Sequence, residues 1–308
     1  DEIISKPIII IGLPRSGTTH LLNLIASDSR LKSLPYWESL RPFQEKILNL
    51  DNKKDSRQEE AFKEYESFLQ TMPLLKSMHD MHPNHIHEEI ELQAMDFSTY
   101  LPEWLAYVPE WRDYYLSHNQ INHYQYLKDV LKAMQFIQGP KKWILKSPQH
   151  LEQITPLLAT FPDATFAITY RDPLSVVLST ATMLSYGDRI RRYKVEPIHN
   201  FNYWHDRIKK LLMSFTENYE LIPTNQKSDV YFHDLIKDNL NSVKSIYSKN
   251  SFEIDKIANN EIKEYINANK RGKHGQVIYN LEDFNVDKSE FYKSFKFYFD
   301  KFDILKEV

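Results

Sequence analysis

Cysteine is absent from the 308 residues, which excludes a disulfide framework and any thiolate metal site. Glycine is scarce, at 6 residues, and there is no internal repeat or low-complexity linker, so one domain spanning 1–308 is expected. No apolar run approaches the ~18 residues of a membrane span, and no signal peptide precedes the first apolar run. Asp1 stands first without an initiator Met, which is compatible with a processed or trimmed N-terminus but does not decide it, and the absence of cysteine and of a leader suggests a cytoplasmic protein. A formal net charge of −3 gives no basic footprint for nucleic acid. What the chain does have is apolar material. At 42% hydrophobic and 13% aromatic residues it can bury a substantial core.

The most informative stretch begins with Ile8, Ile9, Ile10 and Ile11. Four isoleucines without a polar break predict a strand buried on both faces of a parallel sheet. The run ends at Gly12, turns through Pro14 and Gly17, and resumes from Thr18 with helical periodicity. Strand, glycine-bounded turn and helix form an anion cradle, because free N–H groups of the loop and helix start converge on one spot. Gly12 and Gly17 are spaced as in a P-loop, but Thr18 stands where a nucleotide triphosphatase needs lysine. Arg15 is the sole cation of the turn.

Pro14-Arg15-Ser16-Gly17-Thr18-Thr19 resembles the 5′-phosphosulfate loop of sulfotransferases that use 3′-phosphoadenosine-5′-phosphosulfate (PAPS). The likeness is to the bacterial small-molecule branch and the protein-tyrosine enzymes, which carry Arg where aryl and steroid enzymes carry Lys. It implies an α/β fold, a P-loop-like parallel sheet flanked by helices, with a helical insertion at about 51–139 forming the acceptor pocket. Arg15, Ser16, Gly17, Thr18 and Thr19 would then hold the donor's 5′ end.

Further along, Lys141–Pro148 reads as a strand that delivers Lys146 to the carboxyl edge of the sheet. The similar Lys-Ser-Pro of relatives implies that Lys146 supports the transferring group. A strand over Ala164–Tyr170 delivers Arg171-Asp172-Pro173, and the helix from Pro173 carries Ser179. The eight-residue separation of Arg171 and Ser179 is that of the 3′-phosphate grip of PAPS enzymes, a forked guanidinium plus a hydroxyl. A last strand, 229–235, offers Tyr231 to the adenine or to the core, and leads into a helix over 235–249. The basic loop Lys270–Gly275 resembles the segment that closes over the 3′-phosphate; its cations are Lys270, Arg271 and Lys273, with Arg271 and Lys273 the candidates for that phosphate.

For the base, the resemblance offers Glu38, His79 and Glu88. Glu38 follows a short strand near Leu31; its alternative is an ion pair with Arg41, and little regular structure is expected between Pro35 and Pro42. The segment Met78–Glu89 carries His79, His82, His85 and His87. Pro83 and the lack of a His-Glu-x-x-His string weigh against a metal there, and His79 is the preferred match, ahead of His82 and His87. Glu88 and Glu89 would open a helix running toward Tyr100, where the dipole alone favours acids. The aromatic stretch 101–139 is expected to be helical, mostly core, with some side chains lining an apolar cavity. The implied reaction moves a sulfuryl group from PAPS to a hydroxyl or amine of a small-molecule acceptor with an apolar or aromatic part, without a metal. A kinase or nucleotide hydrolase is the competing reading, opposed by Thr18. An inactive nucleotide-binding relative is another, opposed by the joint presence of Arg15, Lys146, Arg171 and Ser179.

Overall fold

The computed structural model describes residues 2–44, 55–270, 279 and 281–308. Five strands form one parallel sheet: β1 (Ile8–Gly12), β2 (Leu31–Lys32), β5 (Lys142–Lys146), β6 (Thr165–Tyr170) and β7 (Lys227–Tyr231), in the order β2-β5-β1-β6-β7. Two short strands, β3 (Leu34–Pro35) and β4 (Ile86–His87), pair antiparallel beside it. Ile8, Ile9, Ile10 and Ile11 are fully buried. Alternate residues serve opposite layers: Ile9 and Ile11 join one apolar cluster, Ile8 and Ile10 the other. Each contributes roughly 1.5–3 kcal/mol by leaving water, so the central strand is fixed from both faces.

Because every pairing in this sheet is parallel, all strands deliver their carboxyl ends to one edge. β1 is central, with β5 on one side and β6 on the other, so the chain order reverses around it and a crevice opens at its carboxyl end. Gly12 lies opposite Thr169 in the register. A Cβ on Gly12 would come within 1.9 Å of the Thr169 Oγ1, and that hydroxyl is bonded to the Ser16 hydroxyl at 2.7 Å. Gly12→Ala is therefore expected to break that bond and destabilise the protein by about 1–3 kcal/mol. A lower urea midpoint checks this; an unchanged midpoint would show that Thr169 yields freely.

Several elements depart from the sequence expectation. A short helix, Tyr36–Leu40, lies between Pro35 and Pro42, because Pro35 serves as its N-cap and so breaks nothing inside it. The helix expected after Glu89 is only Ile90–Ala94, followed by a separate helix at Leu101–Leu105. The last strand ends at Tyr231, not beyond it, and the helix expected over 235–249 is two, Phe232–Lys237 and Asn239–Asn250. Asp238 divides them, its carboxylate accepting from the Asn241 N–H at 2.9 Å. Among the described residues no helix is long and apolar enough to cross a membrane.

The helical segment is tied to the sheet layer by a buried ion cluster. Arg207, on the helix Pro197–Asn218, donates to both Glu103 oxygens at 3.0 Å and to Glu152 at 2.6 and 2.7 Å. Nothing in the local sequence marks these three residues as partners.

Candidate active site

The turn after β1 is held open by its backbone. Arg15 has φ of 63° and Gly17 of 86°, both left-handed, a conformation that costs any side chain and suits glycine. Gly17 also lies against Phe232, which a Cβ there would approach to 3.1 Å. It precedes the helix Thr18–Ala26 without a side-chain cap, so that among the described residues no side chain caps the first-turn N–H groups. The Ser16 hydroxyl is turned inward, donating to the Leu13 carbonyl at 2.6 Å and meeting Thr169 Oγ1. It shapes the turn and is not presented to a ligand. Thr18 is buried, while Thr19 Oγ1 accepts from the Lys146 ammonium at 3.3 Å.

Arg15 is the centre of the arrangement. Its Nε donates to Ser179 Oγ at 3.0 Å and its Nη1 to the Met78 carbonyl at 2.5 Å. Among the described residues it has no carboxylate partner. The residue keeps part of its surface open to the adjoining cavity, yet protein surrounds the guanidinium. Burial, and then the neighbouring Arg171 charge, lowers its pKa to about 10. At neutral pH it remains a cation without a counter-ion, an arrangement whose cost falls when an anion binds.

Lys146 ends β5, buried, with its ammonium 2.8 Å from Glu88 Oε1. Its N–H donates to Glu89 Oε2 at 2.8 Å, and Glu89 Oε1 meets His150 Nε2 at 2.5 Å, with Tyr124 behind His150 at 2.7 Å. Burial would raise the Glu89 carboxyl, but the His150 bond and charge and the Lys146 N–H hold it below its ordinary value. This buried chain was not legible from the sequence; its members are separated by up to 61 residues.

Arg171 follows β6. Its Nη1 donates to the Arg15 carbonyl at 2.5 Å, its Nε and Nη2 each reach Glu307 at 2.8 Å, and its Cζ stands 3.9 Å above the Phe232 ring. Ser179, expected beside Arg171, is bonded instead to Arg15; Arg15 thus joins the two groups. His79 Nε2 lies 3.1 Å from His87 Nε2. Burial first, then the charges of His87, Arg15, Lys146 and His85, push the His79 pKa well below the ordinary imidazole value, so it is neutral at physiological pH.

Arg15, Thr18, Thr19, Lys146, Arg171, His79 and Glu88 line one cavity of about 390 Å³. Apolar side chains make up most of the remaining wall, Phe68, Met72, Tyr100, Trp104 and Leu184 among them, and His87, Glu91 and Arg191 also line it. Glu38 does not belong to it. That carboxylate is buried against Lys32 at 2.8 Å and against the Gln138 amide. The expected partner Arg41 pairs with Glu64 instead. Tyr231 also stands apart: its ring stacks on Tyr170 at 4.9 Å beside a second hollow bounded by Arg171 and Glu307. Arg271 and Lys273 lie outside the described residues. Among the described residues, no cluster of three or more His, Asp or Glu side chains is arranged to hold a metal ion.

A buried cation, a neutral imidazole and a largely apolar cavity are thus gathered at the carboxyl edge of a parallel sheet. The chain belongs to the sulfotransferase family, whose model matches residues 7–255. Its fold is similar to that of sulfotransferase STF9 from Mycobacterium avium, at 20% identity and a TM-score of 0.84, covering 99% of this chain and 79% of that one. It is also similar to sulfotransferase STF1 from Mycobacterium tuberculosis H37Rv, at 22% identity and a TM-score of 0.77, covering 96% of this chain and 77% of that one. No curated protein matches in sequence.

Proposed function

We propose that the protein transfers the sulfuryl group of PAPS to a hydroxyl, or an amine, of a small molecule with an apolar or aromatic part. The reading treats the chain as one domain and its segment 51–139 as the acceptor-binding insertion. The observation that carries it is the buried Arg15 guanidinium, charged and lacking a carboxylate partner among the described residues, at the floor of an apolar cavity.

Bound PAPS supplies a sulfuryl group on a mixed anhydride and leaves as 3′,5′-adenosine bisphosphate. The acceptor oxygen forms a bond to sulfur as the bond from sulfur to the bridging oxygen breaks, and that electron pair stays on the 5′-phosphate. Arg15, Lys146 and the N–H groups of the turn stabilise the spreading negative charge, as donors do in phosphoryl transfer. His79 takes the acceptor's proton. Its depressed pKa keeps it unprotonated at neutral pH, and the competing Glu88 is held by Lys146. The apolar walls keep water from the anhydride. Arg171 and Ser179 hold the 3′-phosphate, with Arg171 exchanging Glu307 for it.

Calorimetric titration tests the donor assignment. The native protein is expected to bind 3′,5′-adenosine bisphosphate more tightly than adenosine 5′-phosphate. Arg171→Ala should narrow that preference by about tenfold, the worth of charge-assisted bonds to one phosphate. Equal affinity of the native protein for both nucleotides would contradict the roles given to Arg171 and Ser179.

A further inference from the structure

We infer that His87 and Glu91 form a relay that sets the tautomer of His79 and stabilises its protonated form, making Glu91 a positioning residue for transfer. The inference rests on the reading of His79 as base. It begins from atoms without partners. His87 is buried, and among the described residues neither its Nδ1 nor Glu91 Oε2 has a hydrogen-bond partner. Yet His87 Nδ1 and Glu91 Oε1 face each other at 3.5 Å, with 5% and 11% of their side chains exposed. Two buried polar groups in this position satisfy one another by a small approach.

The proton inventory follows. An ionised carboxylate only accepts, so the nitrogen facing it carries hydrogen. A neutral His87 protonated at Nδ1 presents a lone pair at Nε2. His79 Nε2, 3.1 Å away, must then donate, which leaves His79 Nδ1 as the basic nitrogen. When His79 accepts the acceptor's proton there, its charge is stabilised through His87 by the Glu91 carboxylate, with no further proton moved. The parts are held firmly: His87 pairs with Leu34 in the β3–β4 ladder and packs against Tyr36 at 4.5 Å. The groups that face His79 are Arg15 from the first turn, Lys146 from β5, and His85 and His87 from its own segment. All are cationic or become so on protonation; Glu88 answers Lys146 at 2.8 Å, and Glu91 reaches His79 through His87.

Glu91→Gln is the test. The amide can donate to His87 Nδ1 and reverse the whole chain of tautomers, and it carries no charge. With the acceptor saturating, kcat should fall roughly tenfold to hundredfold, while KM for PAPS stays within about twofold. The acid limb of the pH–rate profile should move to lower pH, and Glu91→Asp should recover part of the rate. An unaltered rate and profile would overturn the relay. Long-range 1H–15N spectra of histidine-labelled native protein decide the matter without turnover. Hydrogen on His79 Nε2 and His87 Nδ1 supports the relay; hydrogen on His87 Nε2 refutes it. Should the native protein transfer nothing to any acceptor, the reading of His79 as base fails, and the spectra still report on the relay.

Discussion

Arg15→Ala is expected to lower sulfuryl transfer by roughly 10³-fold or more, the scale on which single charge-stabilising donors act in group transfer. The residue holds a cation against the cavity floor, and its left-handed φ of 63° shows that the backbone is shaped to put it there. Stability should not follow activity. A folded-state pKa of about 10, below the 12.5 of the free side chain, means that burial disfavours the charged form. Its charge therefore opposes folding at every pH below that value. Removing it should leave the urea midpoint unchanged or raise it, in keeping with the trade of stability for function at active sites. Kinetics and denaturation on one preparation check both halves. A variant that keeps its rate would remove Arg15 from the mechanism. One that loses rate only because it unfolds would make the residue structural.

Arg207→Leu is expected to do the opposite, costing about 3–5 kcal/mol of stability. Its guanidinium is wholly buried between Glu103 and Glu152, which are also buried. Removing it strands two carboxylates. Burial already raises the Glu103 carboxyl, with Arg207 acting to lower it, so loss of the arginine drives Glu103 further toward its neutral form. Replacing all three residues with apolar ones of similar volume should recover most of the loss, which separates an uncompensated charge from a cavity. The helix that carries Glu103 also carries Leu101, Trp104 and Leu105 of the cavity wall, so surviving Arg207→Leu protein should show a raised KM for acceptor. A loss below about 1 kcal/mol, of the size seen for exposed pairs, would mean that the cluster is reached by water.

These two residues also mark how far the sequence could be read. Arg15 was legible because its neighbours are local: a strand of isoleucines, two glycines and a helix start name the turn within a dozen residues. Lys146 and Arg171 were legible for the same reason, the first ending and the second directly following a short apolar strand. Arg207 was not. Its partners lie 104 and 55 residues away, and helical periodicity reports only that a position faces inward, not what it meets there. Glu38 shows the same limit in reverse. Its place after a strand suggested the ligand edge, but that strand is the outermost of the sheet, and the carboxylate closes on Lys32. Among the histidines, the resemblance to the family favoured His79 over His82 and His87. The contact with His87 depends on β4 folding back along β3, which no local pattern announces. Ser16 was expected at the donor because the whole motif was carried over together, whereas its hydroxyl is occupied by Leu13 and Thr169.

The most direct measurement is transfer of label from 35S-PAPS to a chemically diverse panel of acceptors, with release of 3′,5′-adenosine bisphosphate followed in parallel. Native protein should label an acceptor with an apolar or aromatic body and release one nucleotide per label, and Arg15→Ala protein should do neither. A native protein that binds the bisphosphate yet labels nothing, or that turns over a nucleoside triphosphate instead, would contradict the account.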